Sequence, residues 1–596
     1  MQALQILNDV FGYNSFRSGQ EEIINSILDK KNILAVMPTG AGKSLCYQIP
    51  ALIFSRGTIV VSPLVALMDD QILALKENGI AADRIHSHRS EELNKETLNN
   101  FKTGKIKILY LSPENLMSEK TLNELSNTDI AMFAIDEAHC ISKWGVSFRP
   151  QYEELSKLSK IYPDAVIAGF TATADKDTRE DIIHKLSNYN SKIFVQGFDR
   201  PNLSLAVEQK DDWKKQILIF LENKINESGI IYCLSRKQTE DVSEFLNKKN
   251  YRAIPYHAGQ ESSVRKNNQE KFMNENGIIM VATIAFGMGI DKSNVRFVAH
   301  LSLPSSIESY YQEIGRAGRD GNPAETLLLY GLNDLFQRRR FIESDGDDYQ
   351  HKLRENKRLD SLLAYCETPI CRKKALLSYF DEHVEDCNNC DNCFNPPKML
   401  DGTKLAQMVL SAIYRSGQIF GAVHIINILL GNKTDKIIEK KHDKIKTFGI
   451  GNNYKKDFWQ GFIRQLISSG HLIINIKKFG CLQITKSGLE VLKDDKYFNY
   501  KEIIFKAPKT SQKNKNTKEV LNIDNNDLQI LTSLKELRLN IAREKSIPAF
   551  VIFPDSSLIE MAKIKPQNLQ EMIKINGVGP SKLKKYGTSF LEVINK

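Results

Sequence analysis

The stretch that constrains this chain most is Met37-Pro-Thr-Gly-Ala-Gly-Lys-Ser44. The apolar run Ile33 to Val36 before it reads as a short buried strand, and Leu45 to Phe54 after it can continue as a helix. Strand, glycine-bearing loop, Lys-Ser and helix is the layout of a phosphate-binding loop. Thr39, Gly40 and Gly42 fall in the turn, where glycine lets backbone N–H groups converge on phosphate oxygens. Lys43 would reach the β- and γ-phosphates, Ser44 would ligate Mg²⁺, and the helix N-terminus adds a positive dipole end. Position 37 is Met where the strict pattern has Gly, so the loop taken alone also fits a glycine-rich turn with a surface lysine.

Such a loop needs a parallel sheet behind it. From residue 31 to about 200, short apolar runs (Ile33–Val36, Gly57–Ser62, Ile106–Leu111, Ala131–Ile135, Val166–Phe170) alternate with longer amphipathic ones. That alternation is the signature of βαβ units. It restarts with Ile230–Cys233, Ala253–Tyr256, Ile278–Ala282, Val295–Leu301 and Ala324–Tyr330. Two consecutive α/β domains are therefore expected, joined near Phe198-Asp-Arg-Pro-Asn202, with a cleft that closes on one nucleotide. Residues 335–385 read as charged helices, and 386–397 as a Cys- and Asn-rich stretch unsuited to a regular element. Residues 404–500 read as short helices and a hairpin, 506–519 as a flexible basic linker, and 522–596 as a compact helical unit.

At 596 residues the chain suits roughly four domains of about 150 each. No apolar stretch approaches the roughly 18 residues of a membrane span, so no membrane partner is expected. Met1 to Asn8 has neither the basic nor the apolar part of a secretory leader, which makes the cytoplasm the default compartment. The net charge of +10 is unevenly placed: residues 401–596 carry +15 and residues 1–400 carry −5. A polyanion-binding C-terminal region or lysines kept for solubility both fit. Five of the nine cysteines fall between 366 and 393, a clustering that suggests metal before disulfide.

Several motifs carry chemistry. Asp136-Glu-Ala-His139 ends an apolar strand, where Asp136 suits Mg²⁺ coordination and Glu137 can orient and deprotonate an attacking water. The hydroxyls of Phe170-Thr-Ala-Thr-Ala174 can bridge those carboxylates to a moving neighbour, or simply pack at a strand end. In the second domain, Thr283 to Asp291 places two glycines in a turn and leaves Asp291 for a ribose hydroxyl or a helix N-terminus. Arg316 and Arg319, three apart, share a face if their stretch is helical. Facing a nucleotide in the other domain, they would act as arginine fingers; the alternative is a salt-bridged surface helix. Cys371, Cys387, Cys390 and Cys393 have the spacing C-x15-C-x2-C-x2-C, which fits a closed tetrahedral thiolate site. Cys366 reads as buried and not a ligand; an iron–sulfur cluster is the competing occupant.

In this order the motifs resemble a superfamily 2 helicase, and more closely the RecQ DNA helicases, bacterial type. Phe16-Arg-Ser-Gly-Gln20 resembles their adenine-recognition motif, which implies that Gln20 reads the base edge while Tyr13 and Arg17 stack. Met37–Pro50 looks like motif I, Val61–Leu64 like Ia, Asp136–Gly145 like II with its aromatic-rich loop, and Phe170–Ala174, Tyr232–Arg236, Ala282–Asp291 and Gln312–Arg319 like III to VI. The aromatic-rich loop departs from the family's Trp-Gly-His-Asp-Phe-Arg-Pro: here it is Trp144-Gly-Val-Ser-Phe-Arg-Pro150. Trp144, Phe148 and Arg149 can still stack on unpaired bases and pair with phosphate. Val146 and Ser147, in place of His and Asp, point to altered coupling between single-stranded DNA and hydrolysis.

The resemblance covers about residues 5–495, with a further match at 522–596 to the helicase-and-RNase-D C-terminal (HRDC) domain. It implies two tandem RecA-like α/β domains at 1–200 and 201–335, a helical zinc-binding subdomain at 336–400 and a winged-helix domain at 401–505. A linker at 506–521 and an all-α HRDC domain at 522–596 complete the expected order. It also implies Zn²⁺ on the four cysteines, and a winged-helix hairpin whose tip, Lys477, Lys478 and Phe479, grips phosphate and wedges a duplex end. For Phe479 simple hairpin packing fits equally. Gly577-Val-Gly-Pro580, with Lys582, Lys584 and Lys585, is either a phosphate-binding helix start or a helix cap with solvated lysines.

The expected activity is an ATP-dependent 3′–5′ DNA helicase of repair, recombination and replication. ATP and Mg²⁺ would bind between the α/β domains through the residues above together with Gln312. DNA would be the partner, with a single-stranded-DNA-binding protein and a topoisomerase as implied protein partners, in a nucleoid-associated cytoplasmic setting. An RNA-directed helicase and a DNA-binding scaffold without a motor are the competing readings.

Overall fold

The computed structural model describes residues 2–595 apart from 39, 64, 87–88, 143–148, 188, 285, 287–291, 346–347, 476–479, 503–524 and 546. The first α/β unit, here lobe 1, contains β1 (Ile33–Val36), β2 (Gly57–Val61), β3 (Ala82–Ile85), β4 (Ile108–Leu111), β5 (Ile130–Ile135), β6 (Val166–Thr171) and β7 (Lys192–Val195). They pair in parallel in the order β3-β4-β2-β5-β6-β1-β7. The central strands β1, β4, β5 and β6 are buried at every position, as continuous apolar runs require when helices cover both faces.

Lobe 2 contains β8 (Leu203–Gln209), β9 (Ser228–Tyr232), β10 (Arg252–Tyr256), β11 (Ile278–Ala282), β12 (Val295–His300) and β13 (Ala324–Tyr330), all parallel, in the order β10-β11-β9-β12-β13-β8. Strands β3, β7 and β8 were not expected from continuous apolar runs. β8 instead alternates, burying Leu203, Leu205 and Val207 in period two, and β7 is an edge strand with only Phe194 buried.

Helices Leu332–Ser344, Tyr349–Glu367 and Arg372–Ser378 lead to the cysteine-rich stretch. That stretch does include one regular element, the short helix Asp391–Phe394. It forms because the cysteine-rich loop docks on edge strand β8: Leu205 bridges Cys390, and Val207 N donates to Asp391 Oδ2 at 3.1 Å.

Residues 399–501 build a helical unit with two small antiparallel pairs, β14 (Met399–Asp401) with β17 (Asn499–Lys501) and the hairpin β15 (Leu472–Asn475)–β16 (Cys481–Ile484). Its buried Arg464 donates to Glu367 at 2.6 Å and lies over the Tyr330 ring, which seats the unit on lobe 2. Helices Asn525–Glu544, Ala549–Ile552, Asp555–Ile564, Leu569–Met572 and Pro580–Ile594 enclose a separate C-terminal core. Among the described residues no helix is long and apolar enough to cross a membrane.

Candidate active site

The site forms where the C-terminal ends of the lobe 1 strands meet lobe 2, the usual ligand position of a parallel sheet. Gly40 and Gly42 take positive φ, 86° and 83°, and the chain turns from β1 into the helix Lys43–Ile53. Lys43 Nζ donates to the Met37 carbonyl at 3.1 Å, and burial lowers the lysine's pKa. Gln20 is buried and its amide donates to the Ala41 and Gly42 carbonyls at 3.1 and 3.2 Å. Its Oε1 accepts from Arg17 N at 2.9 Å, and the Arg17 side chain bonds the Gly40 carbonyl. Gln20 therefore braces the loop through its side-chain amide. Tyr13 packs beside these residues against the lobe 1 core. Thr39 and Asp291 lie outside the described residues.

Asp136 and Glu137 leave the end of β5. Glu137 has φ 49°, a left-handed conformation that a non-glycine residue adopts at a cost of about 1–2 kcal/mol. The Glu137 carboxylate lies 3.3 Å from His139 Nδ1. Burial first, and the Glu137 charge second, push the Asp136 carboxyl up to about 7, against the pull of Lys43. A carboxylate so poorly compensated, beside the loop that carries Ser44, fits a divalent cation.

A polar chain leads from this acid to lobe 2. Thr171 Oγ1 donates to the Thr173 carbonyl at 3.1 Å, so it accepts from His139, whose Nδ1 is 2.9 Å away. His139 thus carries its proton on Nδ1, and burial lowers its pKa and keeps it neutral. Gln312 Nε2 then donates to Thr173 Oγ1 at 2.8 Å. The sequence marked each of these positions, but not their order of contact.

Arg316 and Arg319 do not share a helical face. The helix Ile307–Ile314 ends before them, and they ride on a turn opened by Gly315 and Gly318. The turn brings Arg319 against the phosphate loop: a Cβ on Gly40 would lie 3.8 Å from Arg319 Cγ. Arg316 is buried.

The four cysteines converge. All four Sγ atoms lie within 4.8 Å of one another, with Cys387–Cys393 at 4.0 Å and Cys371–Cys390 at 3.9 Å. A tetrahedron of thiolates about 2.3 Å from an ion has edges of about 3.8 Å, so the set fits a zinc ion. Backbone N–H groups of Arg372, Cys387 and Asn389 point at Cys390, Cys371 and Cys387. Cys366 is fully buried and stands outside the cluster.

Of the expected DNA contacts, Trp144, Phe148, Lys477, Lys478 and Phe479 lie outside the described residues. Arg149 donates to the Pro63 carbonyl at 3.0 Å. Gly579 caps the helix Pro580–Ile594 and Lys584 is exposed, as the helix-cap reading has it, but the turn and Lys582 also pack against lobe 1. Gly577 N donates to the Gly12 carbonyl at 2.7 Å, and Lys582 is buried beside Glu77. Glu77 also pairs with Lys585 at 3.1 Å and accepts from the Tyr586 hydroxyl at 2.8 Å. On the other lobe, Lys292 lies near Asp555 and Arg538 of the same unit. The C-terminal unit therefore touches both lobes with residues that the sequence offered to phosphate or to solvent.

The chain matches the DEAD/DEAH box helicase family over residues 17–182 and the helicase conserved C-terminal domain over 209–321. It matches the RecQ zinc-binding family over 332–394, the RQC domain over 396–512 and the HRDC domain over 527–594. It is 43% identical to the ATP-dependent DNA helicase RecQ of Haemophilus influenzae over all of this chain and 96% of that one. The proteins of the same name from Pasteurella multocida and Bacillus subtilis are 41% and 39% identical, also over all of this chain and over 94% and 98% of theirs.

Proposed function

The chain belongs to the RecQ family and is an ATP-dependent DNA helicase, and from that premise we propose that it moves 3′ to 5′ along single-stranded DNA by closing lobe 2 on ATP held by lobe 1. The observation that carries this reading is the meeting of two half-sites: Arg319 packs against phosphate-loop Gly40 while Gln312 bonds Thr173. Lys43 and the backbone of Thr39–Gly42 hold the phosphates, and Gln20, Arg17 and Tyr13 fix the loop and the base. Glu137, restrained by His139, orients the attacking water and takes its proton. Arg316 and Arg319 meet the charge that develops on the transferring phosphoryl group. Asp291 serves the ribose or a helix N-terminus. Mg²⁺, held through Ser44 and Asp136, would neutralise phosphate charge.

Zn²⁺ on Cys371, Cys387, Cys390 and Cys393 is structural in this reading. Trp144, Phe148 and Arg149 contact single-stranded DNA, and Lys477, Lys478 and Phe479 meet the duplex. The domain limits are 1–200, 201–335, 336–400, 401–505 and 522–596, with a linker at 506–521. The setting is the nucleoid in the cytoplasm, in repair, recombination and replication, beside a single-stranded-DNA-binding protein and a topoisomerase. Two assays test the reading. Lys43→Ala abolishes DNA-stimulated ATP hydrolysis and unwinding, and normal unwinding by that variant refutes it. A duplex with a 3′ single-stranded tail is unwound and one with only a 5′ tail is not; the reverse result overturns the polarity.

A further inference from the structure

Five hydrogen bonds run from the joint between the lobes to the turn that carries Arg316 and Arg319. Arg200 donates to the carbonyls of Gly315, Ala317 and Gly318 at 3.4, 2.9 and 2.8 Å. Asn202 Nδ2 donates to the carbonyls of Gly318 and Asn322 at 2.9 and 2.8 Å. Arg200 Nε reaches Asn202 Oδ1 at 3.4 Å, which orients that amide so that its donors face the turn. We propose that Arg200, braced by Asn202, is the positioning residue that holds the Arg316–Arg319 turn in register with the phosphate loop. The proposal rests on the reading that these two arginines face the transferring phosphoryl group.

The physical case starts from the turn. The helix ends at Ile314, so the Gly315 and Ala317 carbonyls lie past its last turn, while that of Gly318 accepts from Gly321 N at 3.0 Å. A guanidinium offers five N–H donors in a rigid fork and can satisfy several carbonyls from one side chain. Gly318 lies so close to Asn202 that a Cβ there would come within 2.3 Å of Nδ2. The fit is specific to this pair.

The joint is itself anchored, and on the lobe 2 side. Lys373 pairs with Asp199 at 2.8 Å and reaches the Arg200 carbonyl at 3.4 Å. Asn389, between Cys387 and Cys390, donates to the carbonyls of Pro201 and Leu203 at 3.5 and 3.4 Å. Tyr311 donates to the Phe198 carbonyl at 2.8 Å, and Glu382 accepts from Phe198 N at 2.5 Å. The thiolate loop thus holds the joint, and the joint holds the arginine turn. The turn that carries Arg319 is held from behind through its backbone carbonyls.

A misplacement of about 1 Å in such a group costs on the order of 100-fold in rate. Full-length Arg200→Ala, Arg200→Lys, Arg319→Ala and the double variant Arg200→Ala/Arg319→Ala are compared in DNA-stimulated ATP hydrolysis, with zinc content and melting temperature measured alongside. Arg200→Ala lowers kcat by about 30- to 100-fold with KM for ATP within about threefold of the parent. Arg200→Lys, with one point charge and no fork, recovers part of the loss. The double variant is no slower than Arg319→Ala alone, because the same function is removed twice. A kcat for Arg200→Ala within threefold of the parent, or losses that multiply in the double variant, overturns the proposal. An unchanged kcat for Arg319→Ala overturns the arginine reading beneath it and the proposal with it. If Arg200→Ala loses zinc or melts early, Arg200→Lys decides: reduced kcat at unchanged KM supports the proposal, and parental kcat overturns it.

Discussion

Gln312 reaches out of lobe 2 and donates from Nε2 to Thr173 Oγ1 of lobe 1 across 2.8 Å. Behind Thr173 the chain of contacts continues through Thr171 and His139 to Glu137. One side chain of the second lobe is thereby linked through a polar chain to the Glu137 carboxylate, the group proposed to orient the attacking water. A residue far along the sequence is brought to the site by a single hydrogen bond.

Gln312→Ala removes the donor and leaves lobe 1 intact. DNA-stimulated kcat is expected to fall up to about tenfold, the equivalent of one hydrogen bond of about 1 kcal/mol. ATP affinity, measured with a non-hydrolysable analogue, changes little. Equal loss in binding and turnover would place Gln312 in nucleotide binding instead.

Arg372 is completely buried, pairs with Asp391 through both Nε and Nη2, and donates to the Tyr365 and Cys366 carbonyls at 2.9 Å. Arg372→Met removes the charge that pairs with Asp391, which keeps only the backbone N–H groups of Val207 and Asn392, and costs about 3 kcal/mol. Urea unfolding should show a matching fall in midpoint. Metal analysis of the parent should give one zinc per chain, and iron with a visible chromophore would show a different occupant.

His424 donates to or accepts from His442 at 2.8 Å and stacks on Phe420 at 4.0 Å. Burial, then the neighbouring His442, lowers its pKa from 6.5 to about 4. The folded form therefore binds fewer protons than the unfolded chain between those values, and stability falls as pH drops through that window. The loss between pH 7.5 and pH 5 is less than the full shift would give, because solvent screens this half-exposed ring. Thermal unfolding across this range measures it, and His424→Gln should flatten the dependence.

The C-terminal unit lies on lobe 1 closely enough to be cross-linked. A Cβ built on Gly79 would be 3.7 Å from Ser581 Cβ, within the separation a disulfide spans. Gly79 has φ 81°, so a cysteine there costs about 1–2 kcal/mol, and Gly79→Cys with Ser581→Cys should still form that bond on mild oxidation, visible as a mobility shift without reductant. Adding Glu77→Arg sets three partners, Lys582, Lys585 and Tyr586, against a like charge or a lost acceptor, and should cut the yield severalfold. An unchanged yield would mean that other contacts hold the unit.

Much of this chemistry could be read from residues 37–44, 136–139 and 371–393, because a phosphate loop, a strand-end carboxylate pair and a thiolate run each follow from local spacing. The central strands were equally legible, since strands covered on both faces are continuous apolar runs. Edge strands β7 and β8 were not, because their exposure depends on what docks beside them. Local periodicity also could not place Arg316 and Arg319, which leave the helix at glycines that only the turn explains. Arg200 and Asn202 looked like part of a connector, and Lys582 and Lys585 like solvent-facing charge. Their partners, Gly318 and Glu77, lie 116 residues from Asn202 and more than 500 from Lys585. Sequence determined the elements and the chemistry each can carry, because backbone conformation and motif geometry are short-range. The tertiary structure alone decided which groups meet, because burial and hydrogen bonding between distant segments depend on how whole lobes pack.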